Sequence, residues 1–204
     1  MKIFIAVPTF ENIYPDTFKS IYGLDKCGNF VVFDFIRGYD CATARNNIAK
    51  QAMAENADYV LMVDNDVILP SDALKNMLEE PKDVCLGYYA HRAHGGIYDG
   101  RSCLLKLGEY NFTQMYTAKE LQTLKEGGVY KIEVHGGGMG CALIKTSVFN
   151  QLSFPYYDWV NYKNGQMLSE DLYFCSQCGK KGIKIFADTR CECGHIFRTP
   201  QYCH

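Results

Sequence analysis

No stretch of this sequence approaches the ~20 consecutive apolar residues that a membrane-crossing helix needs. Charge of one sign is missing as well. The 21 Lys and Arg against 23 Asp and Glu leave a formal charge of −2, too little positive potential for non-specific binding to nucleic acid or anionic membrane. Internal repeats, low-complexity tracts and linkers are absent, so one domain over residues 1–204 is expected. The opening apolar stretch ends at Pro8 after six residues. That is too short for a signal-peptide core, and the expected location is cytoplasmic. Disulfides are not needed to explain the ten cysteines. Cys85 and Cys141 sit inside apolar runs, as buried free thiols do in a reducing compartment.

What is present is the material of a packed core. Hydrophobic residues make up 48% of the chain and aromatic ones 14%, a globular mix. Apolar runs at Lys2–Val7, Phe30–Ile36, Tyr59–Val63 and Val84–Tyr88 predict strands. Helical stripes separate them at Tyr14–Leu24, Ala42–Asn56 and Ser71–Glu79. This alternation predicts an α/β fold with a mostly parallel central sheet and helices on both faces. Residues 89–116 suggest a loop or small-strand excursion. Thr117 to Glu120 has the form of a capping box opening a helix to Glu126. Strands are expected at Val129–His135, Cys141–Lys145 and Ile183–Ala187, with a helix capped by Ser169 before the last.

Several residues carry chemistry. Asp64-Asn65-Asp66 follows the third strand, and ligands in open parallel sheets bind at strand carboxyl ends. In extended backbone Asp64 and Asp66 would share a face and suit a divalent cation; a polar turn is the plainer account. Glu170 and Asp171 open a helix, where acids complement the dipole or, for Asp171, serve as a general base. His195 is a potential ligand or a plain packing residue. Gly136 to Gly140 can let backbone amides approach a ligand, or form only a loop. Arg45 near a helix start can reach a diphosphate or sit in solvent. His91-Arg92-Ala93-His94, at the end of the fourth strand, is a binding segment or an ordinary loop.

In order, these pieces resemble a family 2-type glycosyltransferase of the GT-A fold across nearly the whole chain. Ile5-Ala6-Val7-Pro8-Thr9, Ala44-Arg45-Asn46, Val63-Asp64-Asn65-Asp66, Gly138-Met139-Gly140, Ser169-Glu170-Asp171 and Gly194-His195 carry the likeness. The resemblance implies a nucleotide-binding half over 1–90 and a donor-sugar and acceptor half over 91–204. Pro8, Thr9, Glu11, Arg45, Asp64, Asn65, Asp66, Gly137 and Gly138 would bind the donor, a UDP-sugar by expectation. Asp64, Asp66 and His195 would hold Mn2+ or Mg2+. Asp171, with Glu170 beside it, would deprotonate an acceptor hydroxyl, and the sugar would transfer with inversion.

Two alternatives remain at this level. Asp64 after an apolar strand also fits a haloacid-dehalogenase-like phosphatase, with that Asp as nucleophile. Cys175, Cys178, Cys191, Cys193 and His195 could instead staple a non-catalytic binding module through zinc.

Overall fold

The computed structural model describes residues 1–92, 98–107, 113–163 and 165–196. The chain begins with β1 (Lys2–Thr9), α1 (Pro15–Tyr22), β2 (Phe30–Arg37), α2 (Cys41–Ala54), β3 (Tyr59–Val63), β4 (Val67–Ile68), α3 (Ala73–Leu78) and β5 (Val84–Tyr88). An excursion follows: β6 (Ala90–Arg92), β7 (Tyr98–Leu107) and β8 (Thr113–Thr117). Then come α4 (Ala118–Glu126), β9 (Lys131–Val134), β10 (Gly136–Gly137) and β11 (Cys141–Lys145). The last described elements are β12 (Val160–Asn161), β13 (Met167–Leu168), α5 (Glu170–Lys180), β14 (Ile185–Glu192) and β15 (Gly194–His195).

Seven strands form the central sheet in the order β2-β1-β3-β11-β5-β14-β9. β1 is parallel to both β2 and β3, and β14 is parallel to β5. β11, however, inserts antiparallel between β3 and β5, and β9 closes the edge antiparallel to β14. The sheet is therefore mixed: five of its seven strands run one way, as the alternation predicted, and β11 and β9 run against them. The insertion puts a strand from the second half between two from the first, so the halves assigned to 1–90 and 91–204 share one sheet.

Because strand side chains alternate between faces, the sheet buries two separate cores. Phe4, Ala6, Val60 and Met62 face one way, under α2 residues Ile48, Ala49 and Ala52 and α5 residues Phe174, Cys175 and Cys178. Ile3, Ile5, Leu61 and Val63 face the other, under Ile21 of α1 and Leu74 and Met77 of α3. Helices thus cover both faces. This geometry also removes the zinc alternative. Cys175 and Cys178 belong to the first core, Cys191 and Cys193 to the second, and the sheet stands between them. No helix among the described residues is long and apolar enough to cross a membrane.

Candidate functional site

The carboxyl ends of β1, β3 and β5 lie along one edge of the sheet, and the chemistry gathers there. β3 ends at Val63 after five buried residues. The Val67 N–H then returns to the Asp64 carbonyl at 3.1 Å. Asp64-Asn65-Asp66 is therefore a turn, so the same-face argument for an extended segment does not apply. Instead the two carboxylates meet two different arginines.

Asp64 meets Arg45. The Oδ1 of Asp40 accepts the Thr43 N–H at 2.7 Å and caps α2, and the helix phase then points Arg45 inward. The residue is 1% exposed. Its Nη2 lies 2.9 Å from Asp64 Oδ1, and its Nη1 donates to the Met139 carbonyl at 3.4 Å. Its Nε is 3.5 Å from Asp171 Oδ1 and 3.7 Å from Glu170 Oε1. Burial disfavours the guanidinium charge, but the three carboxylates more than offset this and hold it firmly ionised. One cation against three carboxylates still leaves the cluster rich in negative charge.

Asp171 sits at the start of α5, where the Ser169 hydroxyl accepts the Leu172 N–H. Its Oδ1 is buried and lacks a hydrogen-bond partner, while 21% of the side-chain surface stays open. Burial, with the charges of Glu170 and Asp64, pushes its carboxyl up to about 7 against the pull of Arg45. Such a group exchanges protons near neutrality. Glu170 is buried.

Asp66 meets β15 and the residue after it. β15 pairs antiparallel with β4, His195 opposite Val67, and the Ile196 N–H donates to the Asp66 carbonyl at 2.9 Å. This places His195 Nε2 3.6 Å from Asp66 Oδ2. The other ring nitrogen, Nδ1, is 2.8 Å from the Ala90 carbonyl, which can only accept, so Nδ1 carries the proton. Nε2 faces Arg92 Nη2 at 3.2 Å as well as the Asp66 carboxylate. Burial works against the Asp66 charge, but His195 and Arg92 outweigh it and hold its pKa below the usual carboxylate value. Among the described residues, no three His, Cys, Asp or Glu side chains are gathered closely enough to hold a metal as they stand. His94 and Phe197 lie outside the described residues.

A cleft of about 360 Å³ runs between these groups, lined by Tyr89, Arg92, Gly137, Gly138, Asp171 and His195 among others. A larger cavity of about 610 Å³ lies beyond Leu105 and Leu172, against His135, Cys175 and Lys184, and contains none of Asp64, Asp66 and His195. The rim over β1 and β3 is tied together. Thr9 Oγ1 and Asn65 Nδ2 both donate to the Asn12 carbonyl, at 3.0 and 2.8 Å, and the Tyr14 N–H donates to the Asn65 carbonyl. Pro8 is buried beneath this rim and Glu11 is exposed on it.

The glycine run makes room mainly for protein. A Cβ on Gly138 would lie 2.2 Å from Tyr89 Oη, and one on Gly140 would lie 2.9 Å from both Tyr89 Oη and Asp64 Oδ2. Tyr89 Oη in turn accepts the Gly140 N–H at 3.1 Å. Gly138→Ala should therefore lower stability by about 1–3 kcal/mol through overpacking, measured as a fall in Tm. Unchanged melting would show that Tyr89 can swing aside freely. Sequence patterns gave no hint of Tyr89, and marked Asn46 only as part of Ala44-Arg45-Asn46, with no role of its own. The Asn46 carboxamide accepts the Tyr156 and Tyr157 N–H groups and donates to the Tyr157 carbonyl. An asparagine inside a helix, where its propensity is poor, was the available signal.

No protein-family model matches the sequence, and no curated protein is significantly similar to it. Solved structures are similar in fold. A197 from STIV superposes with a TM-score of 0.62 at 18% identity, over 98% of this chain and 87% of that one. GalNAc-T7 with UDP, GalNAc and Mn2+ gives 0.65 at 11% identity, over 97% of this chain. TarS 1-349 from S. aureus with UDP-GlcNAc gives 0.53 at 16%, over 98% of this chain. The fold is that of GT-A glycosyltransferases. The chain spans 44% of the GalNAc-T7 structure and 60% of the TarS one. In this fold Asp64 follows an interior strand and is ion-paired to Arg45. The phosphatase alternative, which needs a free nucleophile on the opening strand, has no support here.

Proposed function

We propose that this chain is a metal-dependent glycosyltransferase that moves a sugar from a nucleoside-diphosphate donor, a UDP-sugar, to an acceptor hydroxyl. One observation carries the proposal. On a glycosyltransferase fold, a single cleft is lined by both His195, whose Nε2 lies 3.6 Å from Asp66 Oδ2, and Asp171, its pKa raised to about 7. The UDP in GalNAc-T7 and the UDP-GlcNAc in TarS support the donor class.

Asp66 and His195, with Asp64 behind them, fit a hard divalent cation such as Mn2+ or Mg2+. They offer carboxylate oxygens and one imidazole nitrogen, in a place where a guanidinium already stands. Such a cation, when bound, offsets negative charge developing on a diphosphate leaving group. Asp171 takes the proton of the acceptor hydroxyl as that oxygen attacks the anomeric carbon, and a single displacement inverts the sugar. Arg45 and the buried Glu170 hold Asp64 and Asp171 in place from beneath. Thr9, Glu11 and Asn65 form the rim against which the nucleotide rests, supported from below by Pro8, and Gly137 and Gly138 line the cleft.

The test is a melting series with UDP, GDP and dTDP, each with Mn2+ and with EDTA. UDP with Mn2+ should raise Tm by about 5 °C at saturation and much less with EDTA, because only the native state binds. Asp66→Ala should erase the metal-dependent part alone. A protein that no nucleoside diphosphate stabilises under either condition does not have this function.

A further inference from the structure

Arg92, on the short strand β6, reaches across the cleft mouth. One nitrogen, Nη2, lies 3.1 Å from Asp66 Oδ2, 3.2 Å from His195 Nε2 and 2.9 Å from the Ile196 carbonyl. A single guanidinium nitrogen has two protons and no lone pair, so it cannot satisfy three acceptors with good geometry. A carboxylate oxygen, an imidazole nitrogen and a backbone carbonyl around one point are instead the donor set of a small divalent cation. The Arg92 side chain is 42% exposed, so leaving this position does not strand a buried charge.

We propose that Arg92 is a built-in counter-cation. It occupies the divalent-cation position in the metal-free protein, and a metal must displace it to bind. The inference rests on the metal site of the proposed function. In the free protein the guanidinium neutralises Asp66 and keeps the His195 ring oriented. Once displaced, it remains tethered at the cleft mouth, where a donor diphosphate would arrive, and its two-pronged donor geometry suits phosphate oxygens. Metal binding and release of Arg92 are thereby one equilibrium.

The experiment is a Mn2+ titration of the full chain without nucleotide, followed by the electron paramagnetic resonance signal of free aqueous Mn2+. The wild type is compared with Arg92→Gln, Arg92→Lys and Asp66→Asn. Removing a competing charge within a few ångströms of the ion should tighten Mn2+ binding by about ten-fold in Arg92→Gln. Arg92→Lys, which keeps the charge, should stay near wild type, and Asp66→Asn should lose binding. Equal or weaker Mn2+ binding in Arg92→Gln overturns the counter-cation role while leaving the metal site standing. Equal tightening in the Gln and Lys variants also overturns it, because charge is then not the competitor. No Mn2+ binding in wild type or Arg92→Gln, with UDP stabilisation indifferent to EDTA, overturns the metal site and this inference together.

Discussion

Asp171→Asn should cut turnover by about 10²–10⁴-fold, the usual range for loss of a general base, while UDP affinity stays within about two-fold of wild type. Asparagine keeps the size and the hydrogen-bonding shape but cannot take a proton. The wild-type pH profile provides a second readout. Burial raises the Asp171 carboxyl to about 7, and a base works only when deprotonated. Thus kcat/KM should rise with pH, level off with an apparent pKa near 7, and lose that limb in the Asn variant. Stability should run the other way. A carboxyl whose folded pKa lies above its unfolded value keeps its proton longer in the native state, so its contribution weakens as pH climbs from about 4 to about 7. Asp171→Asn should therefore gain Tm relative to wild type at pH 8 compared with pH 5. Near-normal turnover would return Asp171 to the role of a helix-start acid.

How much of this was legible in the sequence depended on how local each determinant is. The capping box at Thr117 and Glu120 forms both of its bonds, and α4 ends at Glu126 as the pattern predicts. β3 and β11 have the expected bounds, because a buried run of apolar residues flanked by polar ones leaves little choice. The antiparallel place of β11 was not legible, since periodicity fixes a strand but not its neighbours. Helix α3 begins at Ala73, two residues later than the stripe predicts, because the Ala73 N–H closes a turn onto the Pro70 carbonyl. The described parts of 89–116 supply β6, β7 and most of β8, which form a second sheet with β10. Their alternation is too broken by Gly and Tyr to read. At the site, Asp64, Asp66, Asp171 and His195 stood out because carboxylates and imidazole at strand ends and helix starts have recognisable uses. Arg45 stood out as a diphosphate contact or a surface charge, but not as the partner of three carboxylates: only folding brings Asp64, Glu170 and Asp171 around it.

Arg45 is accordingly the residue whose loss should weaken the protein most. Arg45→Met keeps much of the side-chain volume and removes the charge, leaving three carboxylates facing one another across a buried space. Breaking a buried ion cluster by deleting one partner costs about 3–5 kcal/mol, which for a domain of this size lowers Tm by about 10 °C. Arg45→Lys restores a cation but not the planar fork that reaches Asp64, Met139 and Asp171 at once, so it should recover only part of the loss. The deficit should depend on pH with a definite sign. Without the guanidinium the carboxyls are raised further in the native state than in the unfolded chain. The variant then prefers to fold protonated, and its Tm should approach wild type as pH falls toward 5. Melting curves of both variants between pH 5 and 8 check this, and a loss under 1 °C throughout would mean that the carboxylates are neutralised without Arg45. The same substitution reaches the chemistry. Arg45 pulls the Asp171 pKa down against burial, so in Arg45→Lys, with its charge less well placed, the rising limb of kcat/KM should move to higher pH. A limb that stays at the wild-type position would separate the two residues and leave Arg45 with a structural role alone.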